Sequence, residues 1–296
     1  PLSPGAQAAH TYDNFIKAAK ASLPPKQNRF CSLRPTPHQQ STSDPRRMTK
    51  IATRFWRKIW DAKAEDLGGL PEYLKTYGRT LDTLPILPTL AHVNFQILHS
   101  KNTSPGPNGI PFLAYRVLQT TGGPLDPGPI LYKVLQQLST DKTPPPAFNS
   151  ANLSLFPKGH SDYIGLARPL AVNNTDNRLI AATVRFCIHD AVKDFLHKEQ
   201  TGFIRGRDIR DNVKFFNEKF YAAKENNTHY SFFLIDFSKA FDSVSHAFIH
   251  ALLASIGMPL WLRLLVRNLL TGVRLKVNQF GDFGYTIDVK RGVKQG

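Results

Sequence analysis

The stretch Ser231-Phe232-Phe233-Leu234-Ile235-Asp236-Phe237-Ser238-Lys239-Ala240-Phe241-Asp242 decides the fold. Its first five residues are apolar apart from Ser231 and lack the alternation of a half-exposed strand. Such a run reads as a short strand buried on both faces. The run delivers a carboxylate, Asp236, at its C-terminal end, and Asp242 follows six residues on. A charge there is costly unless it is paired or holds a metal. Phosphoryl transfer by two metal ions needs carboxylates on a rigid edge, and hard Mg²⁺ takes oxygen ligands. The competing reading is that Asp236 caps the helix that follows.

Working outward, the flanks mix helices and strands. Residues 151–172 read as a hairpin: Ala151, Leu153 and Leu155 alternate with Asn152 and Ser154, and residues 159–165 turn the chain toward a second strand at 167–172. Asn174 or Thr175 opens a helix carrying Ile180, Val184, Cys187, Ala191 and Phe195 on one face, and another, with Val213, Phe216 and Phe220, follows Asp211. Gly- and Pro-rich loops at 121–129 and 141–148 bracket a short helix near 130–138. Beyond Asp242, helices are expected over about 247–256 and 259–270, then a hairpin of Val273, Leu275 and Val277 against Tyr285, Ile287 and Val289. Without steady βαβ alternation, the fold class is α+β.

Residues 1–45 are rich in Pro, Ser, Gln and Ala and read as a linker or disordered segment. Residues 46–63 then carry seven cations against Asp61, with Ile51, Phe55 and Ile59 every fourth residue and Trp56 and Trp60 beside that stripe. This predicts a basic amphipathic helix. Contact with a nucleic-acid template and simple packing of a solvated helix on the body both fit.

Two further clusters could carry chemistry. Lys158 and Arg168 sit near opposite ends of the hairpin turn, so pairing of the strands aims both cations at one space, as a triphosphate clamp requires. Solvated hairpin charges are the bland alternative. The loop Lys101-Asn102-Thr103-Ser104-Pro105-Gly106-Pro107-Asn108-Gly109-Ile110 combines a cation with small turn-forming residues whose amides could approach a phosphate.

The 296 residues include 38 Lys and Arg against 22 Asp and Glu, a net charge of +16 that suits a polyanionic partner. Two cysteines, Cys31 and Cys187, supply neither a disulfide framework nor a zinc cluster and fit a reducing compartment. No apolar run approaches the ~20 residues of a membrane span, so no membrane partner is expected. The first residue is Pro1 and the last three are Lys294-Gln295-Gly296, which reads as a chain cut at both ends.

Taken in order, the blocks 104–109, Phe156-Pro157-Lys158, Arg168-Pro169-Leu170, Gln200-Thr201-Gly202-Phe203, 234–242 and Gly292-Val293-Lys294-Gln295-Gly296 resemble reverse transcriptases, most nearly those of non-LTR retrotransposons. The likeness covers roughly residue 97 to the end. It implies a right-hand polymerase fold: an N-terminal basic helical extension at 46–95, fingers at 96–230 and a partial palm at 231–296, with the thumb absent. It also implies an RNA template, a DNA primer, a deoxynucleoside triphosphate and Mg²⁺ (or Mn²⁺) as partners, an intracellular location and nuclear access for the full-length protein. Protein partners stay unknown.

By the same resemblance, Asp236 is the first metal-binding aspartate, Lys158 and Arg168 hold the incoming nucleotide, and Phe241 is the steric gate against a ribose 2′-hydroxyl. Gln295 and Gly296 begin the loop that packs on the nucleotide. Lys101, Ser104, Gly106, Asn108 and Gly109 touch template, while Gln200, Gly202 and Phe203 lie near template and primer. Asp242 belongs to the signature with a structural role. Asn108 stands where the family commonly has Asp, which touches no essential chemistry. The paired-aspartate box should lie beyond Gly296, so the chain as given is expected to lack polymerase activity. A non-catalytic nucleic-acid-binding remnant is the alternative, and a group II intron or other retroelement polymerase a further one.

Overall fold

The computed structural model describes residues 29–61, 63, 67–145, 147–229, 231 and 233–294. In chain order the elements are α1 (Pro45–Trp60), α2 (Leu70–Tyr77), α3 (Leu90–His99), α4 (Phe112–Thr121), α5 (Pro127–Leu138), β1 (Ser150–Pro157), a 3-10 turn (Ile164–Leu166) and β2 (Ala167–Asn173). After these come α6 (Thr175–Phe195), α7 (Ile209–Glu225), α8 (Ala240–Ser243), α9 (His246–Ser255), α10 (Leu260–Leu270), β3 (Val273–Lys276) and β4 (Thr286–Val289). The mixture is the α+β one that the patterning indicates.

One four-stranded sheet, in the order β2-β1-β3-β4, holds all these strands. The β1–β2 hairpin forms with Leu155 opposite Pro169 and Phe156 opposite Arg168. β3 then joins β1 in parallel, Ala151 opposite Leu275, and β4 closes the sheet antiparallel to β3. A parallel neighbour needs a long crossover, here the helical stretch between β2 and β3. Alternation along the strands buries Leu153, Leu155, Ala171, Leu275 and Ile287 on one face, where they meet Trp56 and Trp60 of α1.

α1 begins where Asp44 accepts the Arg47 N–H at 2.7 Å and Pro45 fills the first turn. Its buried face is Met48, Ala52, Trp56 and Trp60, with the two indoles stacked at 4.7 Å between centroids. The expected apolar stripe of Ile51, Phe55 and Ile59 is only half-buried. The indoles, which have more area to lose to water, claim the sheet instead. The helix stops at Trp60, capped by Asp61, short of residue 63.

A second core gathers α3, α5, α6 and α10 around Val93, Ile97, Leu131, Leu135, Ile180, Leu262 and Leu265. A chain of buried amides joins it to the sheet. Asn177 Nδ2 donates to Asn149 Oδ1 at 3.0 Å, Asn149 Nδ2 donates to the Asn268 carbonyl at 2.7 Å, and Asn268 Nδ2 donates to the Leu138 carbonyl at 2.8 Å. The network is incomplete, since the buried Asn268 Oδ1 has no partner among the described residues, yet its directional bonds still fix the register of otherwise slippery apolar layers.

Two expectations need correction. The stretch 231–235 is no buried strand: Phe233, Leu234 and Ile235 are 85%, 99% and 79% exposed, and no described strand lies beside them. Apolar composition matched a strand interior, but burial requires neighbours that the sequence pattern cannot supply. The linker expected over 1–45 ends earlier, since Phe30 and Leu33 are buried in the sheet core and Leu33 bridges to Thr42; residues 1–28 lie outside the described residues. Both cores draw on residues from either side of 230/231: β1 pairs with β3, and α10 packs among the earlier helices.

Candidate functional site

An open cleft of about 780 Å³ lies between the β1–β2 hairpin and residues 235–242. It brings together Lys158, Arg168, Asp236 and Phe241, with Phe203 at its rim. The ladder explains the cations. Ala167 and Pro169 turn into the core, so Arg168 between them points outward, and Lys158 continues the opposite strand, its N–H bonded to the Leu166 carbonyl at 3.2 Å. Both side chains are exposed and neither forms an ion pair among the described residues. The cleft therefore carries uncompensated positive charge on one wall.

The opposite wall is the irregular segment that ends in α8. Asp236 is exposed there. Lys239 has a left-handed backbone, φ 56°, and starts the short helix that sets Phe241 and Asp242. Its Nζ donates to the Ala167 carbonyl at 3.2 Å and lies 4.3 Å above the Trp56 ring. Burial lowers its pKa, while the nearby Asp242 charge opposes that. Lys239 thus ties the segment to β2 and α1 at once. Phe203, also at positive φ, 65°, stands edge-on to Phe241 with centroids 5.9 Å apart. Non-glycine residues in that backbone region cost about 1–3 kcal/mol each and gather at functional sites.

Behind Phe241 the chain is held by residues 291–293. The Val293 N–H donates to the Phe241 carbonyl at 2.8 Å, the Gly292 N–H to the Val244 carbonyl at 2.7 Å, and Arg291 Nε to the Ser243 carbonyl at 3.0 Å. Gly292, at φ 80°, packs so closely that a Cβ would sit 2.3 Å from the Asp242 carbonyl oxygen. Asp242 is buried, and burial pushes its carboxyl up to about 6 against the pull of Lys239. Lys294 shares a small internal cavity with Asp242, and among the described residues its Nζ has no hydrogen-bond partner; burial draws its pKa down to about 8. Gln295 and Gly296 lie outside the described residues.

The remaining candidate residues lie elsewhere. Gln200 and Gly202 are outside the cleft wall, Gln200 Nε2 donating to the Gly202 carbonyl at 3.3 Å. Arg207 pins their loop by donating to the carbonyls of Lys193, Leu196, His197 and Gln200. The 101–110 loop sits on the N-terminus of α6, away from the cleft. The Asn108 N–H donates to Asn174 Oδ1 at 3.1 Å, Arg178 donates to Ser104 and Thr103, and Thr175 Oγ1 donates to the Ile110 carbonyl at 2.6 Å. Gly106 has no room for a side chain, since a Cβ would lie 2.4 Å from the Asn174 nitrogen, and Gly109 turns at φ 72°. Lys101 lines a separate groove of about 580 Å³ with Arg178 and Arg185. Sequence reasoning left Lys239 and Lys294 without roles; a lysine inside each quoted block was the available signal.

Residues 131–296 match the family described as reverse transcriptase (RNA-dependent DNA polymerase). The chain belongs to the reverse transcriptase family. It is also 26% identical over 214 residues to the "Transposon TX1 uncharacterized 149 kDa protein" of Xenopus laevis, a match covering 70% of this chain and 16% of that protein. Within the reverse transcriptase match lie the hairpin cations, the Phe203 loop and the whole 235–242 segment.

The family uses divalent metal ions. Among the described residues no group of three or more His, Cys, Asp or Glu side chains converges. Asp236 offers one exposed carboxylate to the cleft, and Asp242 is held back by burial. That donor set does not make up a two-ion centre.

Proposed function

We propose that this chain forms the fingers and part of the palm of an RNA-directed DNA polymerase of non-LTR retrotransposon type, and that the cleft receives the deoxynucleoside triphosphate. The observation that carries the reading is the convergence of Lys158, Arg168, Asp236 and Phe241 on one cleft from segments some eighty residues apart. Lys158 and Arg168 neutralise the triphosphate; the guanidinium is suited to two-pronged contact with phosphate oxygens and the ammonium to a point contact. Phe241 presents its ring, braced by Phe203 and by the Val293 hydrogen bond, to the sugar, where it excludes a 2′-hydroxyl.

In this reading Asp236 contributes one metal ligand, and Mg²⁺ or Mn²⁺ would supply charge stabilisation for in-line displacement by the primer 3′-hydroxyl. Because the described residues bring no complete ligand set, the chain alone is assigned nucleotide binding without primer extension. The 101–110 loop, with Lys101, Ser104, Gly106, Asn108 and Gly109, is assigned to the RNA template, and Gln200, Gly202, Phe203, Gln295 and Gly296 to the template–primer and nucleotide surroundings. The parent protein acts inside the cell with access to the nucleus.

The test is primer extension on an RNA template with Mg²⁺ by the longer protein that contains this chain. Asp236→Asn is expected to abolish extension while leaving the protein folded. Extension at the normal rate would overturn the assignment.

A further inference from the structure

The segment 30–60 lies outside the stretch 131–296 that carries the family match, yet it grips both walls of the cleft. On the hairpin side, Arg34 Nε pairs with Asp162 Oδ1 at 2.8 Å. The Arg34 N–H donates to the Asp162 carbonyl at 3.0 Å, and the Ile164 N–H donates back to the Arg34 carbonyl at 3.2 Å. α1 packs against the same 3-10 turn and, on the opposite wall, against α8. Its last residue, Trp60, accepts the Lys290 N–H at 2.9 Å, just ahead of the 291–293 stretch that holds Phe241.

One side chain joins this bracket to the wall that carries Asp236 and Phe241. Among the described residues of 233–241, Lys239 is the only one that is not exposed. Its Nζ lies 4.3 Å from the Trp56 centroid and 5.7 Å from that of Phe55, and donates to the Ala167 carbonyl at 3.2 Å. A half-buried ammonium over two ring faces is held by their quadrupoles, and its hydrogen bond is charge-assisted. Trp56 is itself buried and stacked on Trp60, so the platform is fixed to the sheet core. Arg168 follows Ala167 directly, and Phe241 follows Lys239 by two residues. The separation between the phosphate-binding cation and the ring at the sugar position is therefore set through a single lysine.

We propose that Lys239 is a positioning residue that determines sugar specificity in the cleft, and that α1 takes part in nucleotide selection through it. Lys239 acts through Arg168 and Phe241, whose spacing it fixes, with Trp56 and Phe55 as its seat. The role in selection rests on the cleft being a nucleotide site, whereas the tie between α1 and the cleft wall is measurable without nucleotide. Two readouts on the full chain separate them. Amide hydrogen exchange across 235–244 reports the tie, and competition binding of deoxy- and ribonucleoside triphosphates reports the selection.

Lys239→Met keeps an apolar stem on Trp56 but removes the charge and the donor. It should speed exchange across 235–244 about tenfold and lower the preference for the deoxynucleotide about fivefold. Lys239→Arg restores both interactions and should stay close to wild type in both readouts. Phe55→Leu removes one ring of the seat and serves if Lys239→Met misfolds by circular dichroism; it should shift both readouts the same way, each by about twofold. A wild-type chain that binds neither triphosphate would sink the nucleotide assignment, while the exchange comparison still decides the tie. Wild-type exchange in Lys239→Met would overturn the proposal. So would faster exchange with unchanged sugar preference, or an equal loss of preference in Lys239→Arg.

Discussion

Phe203 meets Phe241 edge to face, centroids 5.9 Å apart and planes at 84°, across thirty-eight residues of chain. The contact couples the loop pinned by Arg207 to the turn that carries Asp236. Phe203 is 94% exposed and holds a left-handed backbone, φ 65°.

An edge-to-face pair is worth about 0.5–1.5 kcal/mol. Phe203→Ala should therefore reduce discrimination between deoxy- and ribonucleoside triphosphates roughly twofold to tenfold, through a looser Phe241, with little change in unfolding midpoint. Phe241→Ala should reduce it further. Competition binding of the two triphosphates to each variant checks both.

Asp242 gives a pH signature. Its folded pKa, about 6, lies above the ordinary 3.8, so the folded state binds the proton more readily than the unfolded one. Stability should rise as pH falls from 7 toward 4 and level off below. Ionised, the buried carboxyl costs on the order of 3 kcal/mol. Asp242→Asn should be the more stable protein at pH 8 and should flatten the dependence, as read from urea midpoints between pH 4 and 8.

Lys294 works in the other direction. Its folded pKa near 8 lies below the ordinary 10.5, so stability should increase with pH between about 8 and 10.5. Lys294→Met removes an unpartnered buried ammonium and should stabilise the chain at pH 7 while erasing that rise, measured by the same urea midpoints.

The 101–110 loop separates two substitutions. Gly106→Ala forces a Cβ against the Asn173–Asn174 backbone and should cost about 1–3 kcal/mol or more. Asn108→Asp keeps the side-chain oxygen that accepts the Ile110 N–H at 3.1 Å and should be nearly neutral. Thermal midpoints of the two variants give the comparison.

Legibility in the sequence followed the range of the interactions involved. The β1–β2 hairpin and the helices of the second core were readable because their signals, alternation and 3.6-residue periods, are local. Trp56 and Trp60 were misplaced beside the apolar stripe because a short helix offers several near-equal faces and the sheet chooses among them. The parallel β1–β3 pairing left no local trace. The exposure of Phe233, Leu234 and Ile235 was invisible for the same reason: composition says what a segment could bury, and only its neighbours decide whether it does. At the cleft, Lys158, Arg168, Asp236 and Phe241 could be named from ordered blocks, whereas the bracing by Lys239 and Val293 depends on contacts across the fold.

The central claim is that the cleft holds a triphosphate on Lys158 and Arg168, and equilibrium titration of a deoxynucleoside triphosphate onto the full chain tests it most directly. Lys158→Gln/Arg168→Gln should weaken binding by at least tenfold and make the remainder nearly independent of salt, with the helical signal unchanged. Equal affinity and equal salt dependence in that variant would contradict the account.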